Sequence, residues 1–404
     1  MSFPAVDEQL RIIRRGVEEI IPEDELKTRL EESRKKNKPL KVKLGCDPTR
    51  PDLHFGHSVI LRKLRQFQDL GHHAILIIGD FTGTIGDPSG QNKTRPAMTL
   101  EEARENGKSY FEQASIILDR NKTQIVHNSD WLGKLGFDDV IKLAGKFTVA
   151  RMLERDDFSK RYQNNEPISI HEFLYPLAQG QDSVHLESDI ELGGTDQKFN
   201  LLVGRHLQQV NDQQPQICLT MPLLVGTDGV KKMSKSYDNY ISIDEAPQDM
   251  YGKVLSIPDD LIYTYYTLLT DVDTERLPEL RKRAEEDPRN SKHELAETLV
   301  RMYHGADKAK ESREYFEKTV INKEIPDDIP EFEIDKGDVR ILDVIKDIGF
   351  VPSKGEGKRL ISQGGVSVDG AKVTDINHSL QFENGNSYTI KVGKRKFGKL
   401  VTKK

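Results

Sequence analysis

The chain has 404 residues, 36% of them hydrophobic and 31% charged, which is typical of soluble globular proteins and long enough for two or three domains. Its start lacks the apolar segment of a signal peptide, its aliphatic run at residues 74–78 is too short to span a bilayer, and two cysteines in unrelated contexts do not form a disulfide framework, so we predict a cytoplasmic protein. The net charge is -6, but residues 337–404 carry 13 Lys and Arg against 7 Asp and Glu, which leaves -12 on the remainder.

The first half of the chain alternates predicted helices and strands. Residues 6–35 predict one or two amphipathic helices. Strands are predicted at 40–47, 73–80, 124–127, 190–193 and 217–219, and helices at 57–70, 99–120 and 170–182. This alternation indicates a doubly wound, Rossmann-like α/β catalytic domain with a parallel sheet, which we place at residues 1–246. Such sheets bind ligands beyond the carboxyl ends of their strands.

The second half predicts two further domains. Residues 247–322 have helical periodicity and predict an α-helical middle domain, and the proline-rich, acidic stretch 323–337 has no periodicity and predicts a linker. Residues 338–404 predict two short helices, a hairpin that turns at Asp369 and Gly370, and one or two more strands, which is a small α+β domain. Its excess of positive charge favours binding to a polyanion, although a solvated basic surface explains the charge equally well.

The segment "LHFGHS", residues 53–58, places two histidines and a glycine where a strand becomes a helix. The spacing of His54 and His57 permits zinc binding, but a zinc site needs a third protein ligand and no cysteine cluster is present. Alternatively, the free N–H groups at the helix start and the imidazole N–H groups bind a polyphosphate, and Gly56 lets a base or sugar approach the backbone. The segment alone does not decide between these interpretations and chance.

A second segment, "GVKKMSKSYDN" at residues 229–239, brackets a short Met/Ser loop with Lys232 and Lys235. Lysines beside hydroxyl groups suit a polyphosphate whose charge must be neutralised, whereas a solvated lysine loop is the ordinary explanation of a single Lys-Lys pair. The chain contains neither G-x-x-x-x-G-K-[ST] nor G-x-G-x-x-G, which removes the commoner nucleotide-binding folds.

Together, the two segments resemble the signature of class I aminoacyl-tRNA synthetases. The stretches "GCDPTRPDLHFGH", "TGTIGDPSG", "EFLYPLAQGQD", "LGGTDQ" and "KKMSKS" are similar, in this order, to the bacterial tyrosyl-tRNA synthetase family over residues 40–245, and residues 339–385 resemble the S4-type RNA-binding domain that ends those enzymes. The resemblance implies activation of L-tyrosine with ATP and Mg²⁺ to tyrosyl-adenylate, followed by transfer to the 3′-terminal ribose of tRNA(Tyr). It also implies a homodimer and no permanent cofactor.

The resemblance and the residue chemistry together assign the site residues. The helical spacing of Tyr175, Gln179 and Asp182 puts polar groups on one face, where one stripe can hold both ends of a tyrosine. The residues expected to act on the phosphates are Thr49, His54, His57, Lys232 and Lys235. The residues expected to bind ATP are Asp47, Gly56, Arg95, Gly194, Asp196, Met233, Ser234 and Lys235. The residues expected to bind tyrosine are Asp87, Tyr175, Gln179, Asp182 and Gln197, with Asp182 accepting from the phenol. The residues expected to bind RNA are Arg359, Lys394, Arg395 and Lys396, and no protein metal site is expected.

The sequence departs from the best-known family pattern at Lys43 and Gln91, and its Lys-Met-Ser-Lys-Ser loop is complete where some relatives have a degenerate version. Lys43 aligns with a tyrosine that meets the substrate phenol, so Asp182 is expected to carry more of that contact. Gln91 replaces a lysine, so Lys93 or Arg95 is expected to supply its charge. Three other functions share some of the motifs: a tryptophanyl-type synthetase, a small adenylyltransferase, and an RNA-binding protein of splicing type descended from a synthetase.

Overall fold

The computed structural model describes residues 3–48, 53–89, 98–322, 329–383, 385–393 and 396–403, and the chain divides into two units at residue 305. The strands of the first unit are β1 Glu19–Ile21, β2 Lys41–Cys46, β3 His73–Ile78, β4 Thr123–His127, β5 Ile190–Gly194 and β6 Ile217–Met221. Its helices are α1 Val6–Arg14, α2 Glu23–Lys36, α3 Phe55–Asp69, α4 Thr82–Ile85, α5 Leu100–Ala114, α6 Ser129–Leu132, α7 Phe137–Ala144, α8 Val149–Met152, α9 Asp156–Gln163, α10 Leu174–Leu186, α11 Lys198–Gln209, α12 Pro247–Leu255, α13 Ile262–Leu269, α14 Leu277–Glu286 and α15 Pro288–His304.

The sheet of the first unit has the strand order β1-β6-β5-β2-β3-β4. Strands β6, β5, β2, β3 and β4 are parallel, and β1 is antiparallel to β6. Residues Ala74–Ile78 of β3 are buried, as expected for a central strand of a parallel sheet covered on both faces. The doubly wound α/β fold is therefore confirmed. The three-residue strand β1 is too short to give a sequence pattern and was not predicted.

The N-terminal helix α1 is held at its carboxyl end by a buried lysine. The Nζ atom of Lys63 donates to the carbonyls of Ile13 and Arg15, at 2.7 and 2.8 Å. These carbonyls lie at or just beyond the end of α1, where a helix leaves acceptors unpaired and favours a positive charge. The helix is thereby tied to α3, which begins at the histidine segment.

The helical region predicted as one domain at 247–322 is divided by the packing. Helices α12–α15 belong to the first unit, where, for example, the Tyr265 hydroxyl donates to the Val225 carbonyl at 2.8 Å and the Arg15 guanidinium donates to the Thr267 carbonyl at 2.9 Å. Residues from 306 onward belong to the second unit. The packing thus places the division between the two units at residue 305. The domain boundaries at 246 and 322 stay predictions, and buried polar contacts of this kind do not show in helical periodicity.

The second unit contains helices α16 Ala306–Phe316, α17 Ile341–Asp347 and α18 Lys354–Ser362, and strands β7 Glu331–Ile334, β8 Gly337–Arg340, β9 Val366–Val368, β10 Ala371–Val373, β11 Ser379–Phe382, β12 Ser387–Val392 and β13 Lys396–Thr402. The strands form one sheet in the order β10-β9-β12-β13-β7 and a two-stranded sheet of β11 and β8. Asp369 and Gly370 both have positive φ, 47° and 81°, as the predicted hairpin turn requires.

The predicted linker 323–337 is wrong at its carboxyl end. Residues 331–334 form β7, which pairs in parallel with β13 and so belongs to the fold of the second unit. Its pattern of exposed and half-buried residues reflects an edge strand, which carries little hydrophobic signal. Residues 323–328 of the predicted linker lie outside the described residues. Across the part of the chain that is described, no helix is both long and apolar enough to cross a bilayer.

Candidate active site

The histidine segment forms the start of helix α3. His54 is the N-cap residue, and its Nδ1 accepts from the Gly56 N–H at 3.1 Å. His57 lies one turn on, and its Nδ1 accepts from the His54 N–H at 3.2 Å. Both imidazoles thus accept backbone N–H groups at the start of the helix, in a capping box, with ring centroids 4.0 Å apart.

Both imidazoles are neutral near pH 7. Burial, followed by the charges of His57 and Lys235, lowers the pKa of His54 to about 3. Burial and Lys235 lower the pKa of His57 to about 4. Because Nδ1 of each ring accepts a hydrogen bond, the single proton of each neutral ring lies on Nε2. Each ring therefore keeps one N–H donor for a ligand, which is what a phosphate oxygen requires.

The glycine of this segment is required by the histidine cap. A Cβ atom on Gly56 would lie 2.8 Å from Cε1 of His54 and 2.9 Å from its Nδ1, too close for any side chain. The expected reason, close approach of a base or sugar, is therefore not needed to explain the glycine. The role of Gly56 in binding ATP stays a prediction.

The histidine turn (residues 53–58) and the lysine loop (residues 229–239) lie in contact, together with the residues that follow the loop. The contacting residues are separated by at least 175 positions in the sequence. The Phe55 N–H donates to the Ile241 carbonyl at 3.0 Å, and His54 forms an antiparallel bridge with Ser242. Met233 packs close to the same turn, since its Cβ lies 3.7 Å from the position of a Cβ on Gly56. The charge of Lys235 reaches both imidazoles, as their lowered pKa values show.

The lysine loop is held by a buried asparagine that sequence analysis missed. The Asn239 side chain is 2% exposed; its Oδ1 accepts from the Ser234 N–H at 2.8 Å, and its Nδ2 donates to Asp228 and to the carbonyls of Lys231 and Lys232. These contacts fix the backbone while leaving the lysine side chains at the surface. The signal was present in "SYDN", since asparagine favours turns, but its partners could not be read from the sequence.

One lysine of the loop reaches the "LGGTDQ" segment after β5. The Nζ of Lys232 lies 3.7 Å from Oδ2 of Asp196. Burial raises the pKa of Asp196, and Lys232 opposes that rise. Gly194 lies against the Asp196 side chain, since a Cβ at position 194 would be 2.6 Å from Oδ1 of the aspartate. The structure therefore brings these three predicted residues together.

Helix α10 carries Tyr175, Gln179 and Asp182, as the spacing predicted. Asp182 is 3% exposed and accepts from the Trp131 Nε1–H at 2.8 Å and from Asn128 Nδ2 at 3.3 Å. Burial raises its pKa to about 7, and the charge of Lys43 opposes this rise. Trp131 is itself stacked on His185, with ring centroids 4.4 Å apart. Trp131 and Asn128 were missed because they lie in a loop and a short helix without a recognised motif.

A chain of hydrogen bonds connects the predicted tyrosine-binding and ATP-binding residues. The Tyr175 hydroxyl donates to Asp47 Oδ2 at 2.9 Å, and the Thr82 hydroxyl donates to Asp47 Oδ1 at 2.7 Å. Asn128 Nδ2 donates both to Thr82 Oγ1, at 3.0 Å, and to Asp182. Asp47, predicted to bind ATP, is therefore coupled through protein contacts to the residues predicted to bind tyrosine.

The last two predicted tyrosine-binding residues are also in contact. Gln197 Nε2 donates to Asp87 Oδ2 at 2.8 Å. A buried arginine, Arg155, lies 3.7 Å from Asp87 Oδ1 and donates to Ser89 Oγ at 2.7 Å. Burial and then the carboxylates of Asp47, Asp87 and Asp182 raise the pKa of Tyr175 well above its ordinary value, so these groups lie in one electrostatic environment.

Several predicted residues lie outside the described residues: Thr49, Gln91, Lys93, Arg95, Lys394 and Arg395. In the second unit, Arg359 is exposed and pairs with Glu356 at 2.5 Å, and Lys396 Nζ donates to the Phe350 carbonyl at 2.7 Å. Within the described ranges, no group of three or more His, Cys, Asp and Glu side chains could hold a metal ion.

The profile of the family described as tRNA synthetases class I (W and Y) matches residues 35–320. The chain belongs to this family. A second profile, described as the Tyrosine–tRNA ligase SYY-like C-terminal domain, matches residues 321–400 of this class I chain. The resemblance stated from the motifs is confirmed.

Relatives of this synthetase chain match along nearly its whole length. It is 56% identical to a Tyrosine–tRNA ligase of Salinibacter ruber over 403 residues, which cover 99% of this chain and 98% of the relative. It is also 56% identical to a Tyrosine–tRNA ligase of Chlorobaculum tepidum over 404 residues, covering 100% and 99%. The fold is similar to the crystal structure of the Archaeoglobus fulgidus tyrosyl-tRNA synthetase complexed with L-tyrosine, with a TM-score of 0.61 at 24% identity, covering 76% of this chain and 100% of the other.

The lowered pKa values of the two histidines predict loss of stability in mild acid. As the pH falls below about 6.5, both imidazoles become protonated in the unfolded chain but stay neutral in the folded chain. The free energy of unfolding therefore decreases from pH 6.5 toward pH 4. Between pH 6.5 and 5 each imidazole should contribute a loss of about 1–2 kcal/mol.

The test is urea unfolding at pH 6.5 and pH 5.0, followed by the fluorescence of Trp131, the single tryptophan of the chain. In the variant His57→Gln the glutamine can still accept from the His54 N–H, so the decrease between the two pH values should become smaller by about one histidine's share. The exposed His171→Gln variant is the control and should keep the full decrease. An unchanged decrease in His57→Gln would contradict the prediction.

Proposed function

We propose that this chain is a tyrosine–tRNA ligase, which activates L-tyrosine with ATP and then transfers the tyrosyl group to the 3′-terminal ribose of tRNA(Tyr). The observation that carries the proposal is the backbone pairing of His54 with Ser242, which puts the histidine turn and the lysine loop side by side. The membership of the chain in the class I synthetases of the tryptophan and tyrosine group, and its full-length relatives, support the same function.

In the activation step, the tyrosine carboxylate oxygen attacks the α-phosphorus of ATP. One oxygen–phosphorus bond forms, the bond to the bridging oxygen breaks, and pyrophosphate leaves with the negative charge. No protein nucleophile takes part, so catalysis consists of positioning the reactants and stabilising charge on the leaving group. His54 and His57 donate their Nε2–H groups, and Lys232 and Lys235 bring positive charge. Mg²⁺ enters with ATP, bound mainly by phosphate oxygens and water.

Tyrosine recognition uses the carboxylates on and around α10. Asp182 accepts from the phenol hydroxyl and is kept in place by Trp131 and Asn128. Tyr175, Gln179 and Asp87 surround the ammonium, which the nearby negative charges attract, while Gln197 faces the substrate. Phenylalanine is rejected because it would leave Asp182 without its donor, and the discrimination of tyrosine from phenylalanine by tyrosyl enzymes is the standard illustration of this effect.

The second unit binds the RNA through its positive charge. Residues 337–404 carry the excess of Lys and Arg, and Arg359 and Lys396 lie on the surface of that unit. Lys394 and Arg395 adjoin Lys396 in the sequence and extend the same basic stretch. Charged contacts with phosphates provide affinity without reading sequence and weaken as salt rises.

The protein acts as a homodimer in the cytoplasm. Five large apolar side chains in residues 137–170 are exposed, which is unusual for a monomer surface. These are Phe137, Ile141, Val149, Tyr162 and Ile170. A second copy of the chain that packs on this segment would remove them from water.

The function is tested by amino-acid-dependent ATP–pyrophosphate exchange. The purified protein should exchange pyrophosphate with tyrosine, and neither with tryptophan nor with phenylalanine, because only tyrosine supplies the phenol donor for Asp182. Exchange with tryptophan alone would indicate a tryptophanyl-type enzyme. Absence of exchange with every amino acid would favour the splicing-type RNA-binding protein.

The variant His57→Ala should lower the rate of adenylate formation with little change in the KM for tyrosine. The lost donor acts on charge that grows only in the transition state, and one such donor contributes roughly 2–4 kcal/mol. Single-turnover adenylate formation is the measurement, and an unchanged rate would disprove the role. A zinc chelator in excess Mg²⁺ should have no effect, whereas inactivation by the chelator would support the zinc alternative.

Removal of the second unit should leave the activation of tyrosine intact but impair the charging of tRNA. A chain that ends at residue 305 lacks the whole second unit, including both β7 and β13, so no strand is left without its partner. It should form tyrosyl-adenylate normally but charge tRNA poorly at physiological salt, and the salt dependence of RNA binding should flatten. Normal charging would contradict the role of the domain, and loss of adenylate formation in a folded protein would place the domain in the active site.

A charged side chain introduced into the exposed apolar segment, residues 137–170, should dissociate the proposed dimer. Phe137→Asp puts a carboxylate on a side chain that is 82% exposed in the isolated subunit, so the fold should tolerate it while the interface should not. Light scattering after size exclusion should show the mass halved. Val210→Asp, at a half-exposed apolar residue elsewhere, is the control and should stay dimeric. If the protein without substitutions already has the mass of a monomer in this measurement, the proposed dimer is refuted.

A further inference from the structure

A buried ion pair lies beneath helix α10. Lys43 of β2 and Glu191 of β5 are register partners on adjacent parallel strands, and Lys43 Nζ lies 2.9 Å from Glu191 Oε1. The two side chains are 0% and 1% exposed. Burial of two charges costs several kcal/mol in desolvation, and an apolar pair at such a place is often at least as stable. The stability of the sheet alone therefore does not explain this pair.

The Glu191 carboxylate holds one of the predicted tyrosine-binding residues. Gln179 Nε2 donates to Glu191 Oε1 at 3.0 Å. The other oxygen of Glu191 accepts from Ser183 Oγ at 3.2 Å and from Gln216 Nε2. Lys43 Nζ also lies 3.4 Å from the Gln179 carbonyl, so the pair contacts both the side chain and the backbone of Gln179.

The chemistry of the carboxylate fixes which way the Gln179 amide points. An ionised carboxylate only accepts, so it can be satisfied only by the NH₂ end of the amide. The Oε1 end is then turned away from Glu191, and no donor among the described residues reaches it within hydrogen-bonding distance. By contrast, Gln197 uses both ends within the protein, donating to Asp87 and accepting from Asn200.

We propose that Lys43 and Glu191 are a positioning pair that sets the affinity for the amino-acid ammonium. Glu191 turns the Gln179 amide so that its Oε1 faces the substrate, and Lys43 supplies the charge that lets the carboxylate remain buried. Neither residue touches the substrate. An ammonium has only donors, so the orientation of this one amide decides whether it meets an acceptor or another donor. The inference rests on the proposed function and names the device that orients its binding residue.

Two double variants separate orientation from stability. Lys43→Met with Glu191→Gln removes both charges at nearly constant volume, and it lets the Gln179 amide adopt either orientation. Lys43→Glu with Glu191→Lys restores an ion pair with the charges exchanged. The lysine introduced at position 191 only donates, so Gln179 must turn its Oε1 inward and present its NH₂ to the substrate ammonium.

The readouts are the KM for tyrosine, the KM for ATP and kcat in ATP–pyrophosphate exchange. The neutral pair should raise the KM for tyrosine about tenfold, and the exchanged pair should raise it at least as much, although its ion pair is restored. The KM for ATP and kcat should stay within about twofold in both. Recovery of the normal tyrosine KM by the exchanged pair would show a purely structural role and overturn the proposal, as would a neutral pair with normal KM.

A matched control uses another buried ion pair of the same unit. Arg161 and Glu172 lie 2.5 Å apart and are 5% and 2% exposed. Arg161→Met with Glu172→Gln also loses the hydrogen bond from Arg161 to the Pro167 carbonyl, so it should lower the urea midpoint, measured by Trp131 fluorescence, and leave the tyrosine KM unchanged. An equal rise of that KM in the control would show that any loss of stability has the effect, and would overturn the proposal.

If the exchanged pair does not fold, a double-mutant cycle with Gln179→Met provides the test. Gln179→Met alone should raise the tyrosine KM, and addition of the neutral pair should raise it no further, because both changes remove the same acceptor. Independent, multiplying effects would refute the proposal. If the protein without substitutions shows no tyrosine-dependent ATP–pyrophosphate exchange, the proposed function itself is refuted. If it shows normal exchange but the variants keep its KM for tyrosine, only this inference is refuted.

Discussion

The active-site architecture depends on a short backbone pairing between residues 53–55 and 241–243. The Phe55 N–H donates to the Ile241 carbonyl, and the Ile243 N–H donates to the Leu53 carbonyl. These hydrogen bonds join the end of the strand-to-helix turn to the segment that follows the lysine loop. Because helix α3 is also fixed by Lys63 against the end of α1, the pairing sets where the lysines can reach.

The same site is built from buried and half-buried carboxylates, each of which has its partners. Asp47 accepts from Tyr175 and Thr82, and Asp182 accepts from Trp131 and Asn128. In surroundings of low dielectric, an unpaired charge would be costly, whereas a fully bonded one is held in a single geometry. The network therefore costs desolvation energy and holds its acceptors in a single geometry, which suits the proposed recognition of an ammonium and a phenol.

The residues proposed to bind phosphate follow the opposite principle. His54 is buried and His57 half-buried beside Lys235, and both stay neutral, so they can act as N–H donors that add no fixed charge. Their Nδ1 atoms cap the helix, which fixes the tautomer and leaves Nε2–H available. The lysines, by contrast, extend long side chains from a loop whose backbone is pinned by Asn239. Rigid neutral donors and adjustable charges are suited to an anion that changes position during a reaction.

The local structure of the first unit and a hypothesis for the chemistry of the site could be predicted from the amino-acid sequence. Periodicity predicted the central strands and helix α10, because a half-buried helix and a fully buried strand impose their own spacing of apolar residues. The two motifs predicted the phosphate-binding groups, because their residue types are unusual together. The Asp369–Gly370 turn was predictable because its backbone needs positive φ.

Features that depend on contacts between distant segments became visible only in the folded chain. Short edge strands such as β1 and β7 carry too few buried residues to show a pattern, so the predicted linker extended too far. The domain boundary at 305 follows from packing that helical periodicity does not encode. Lys43 could not be interpreted from its own position, because the positioning role proposed for it depends on Glu191, a residue 148 positions away that only the parallel register of β2 and β5 brings beside it.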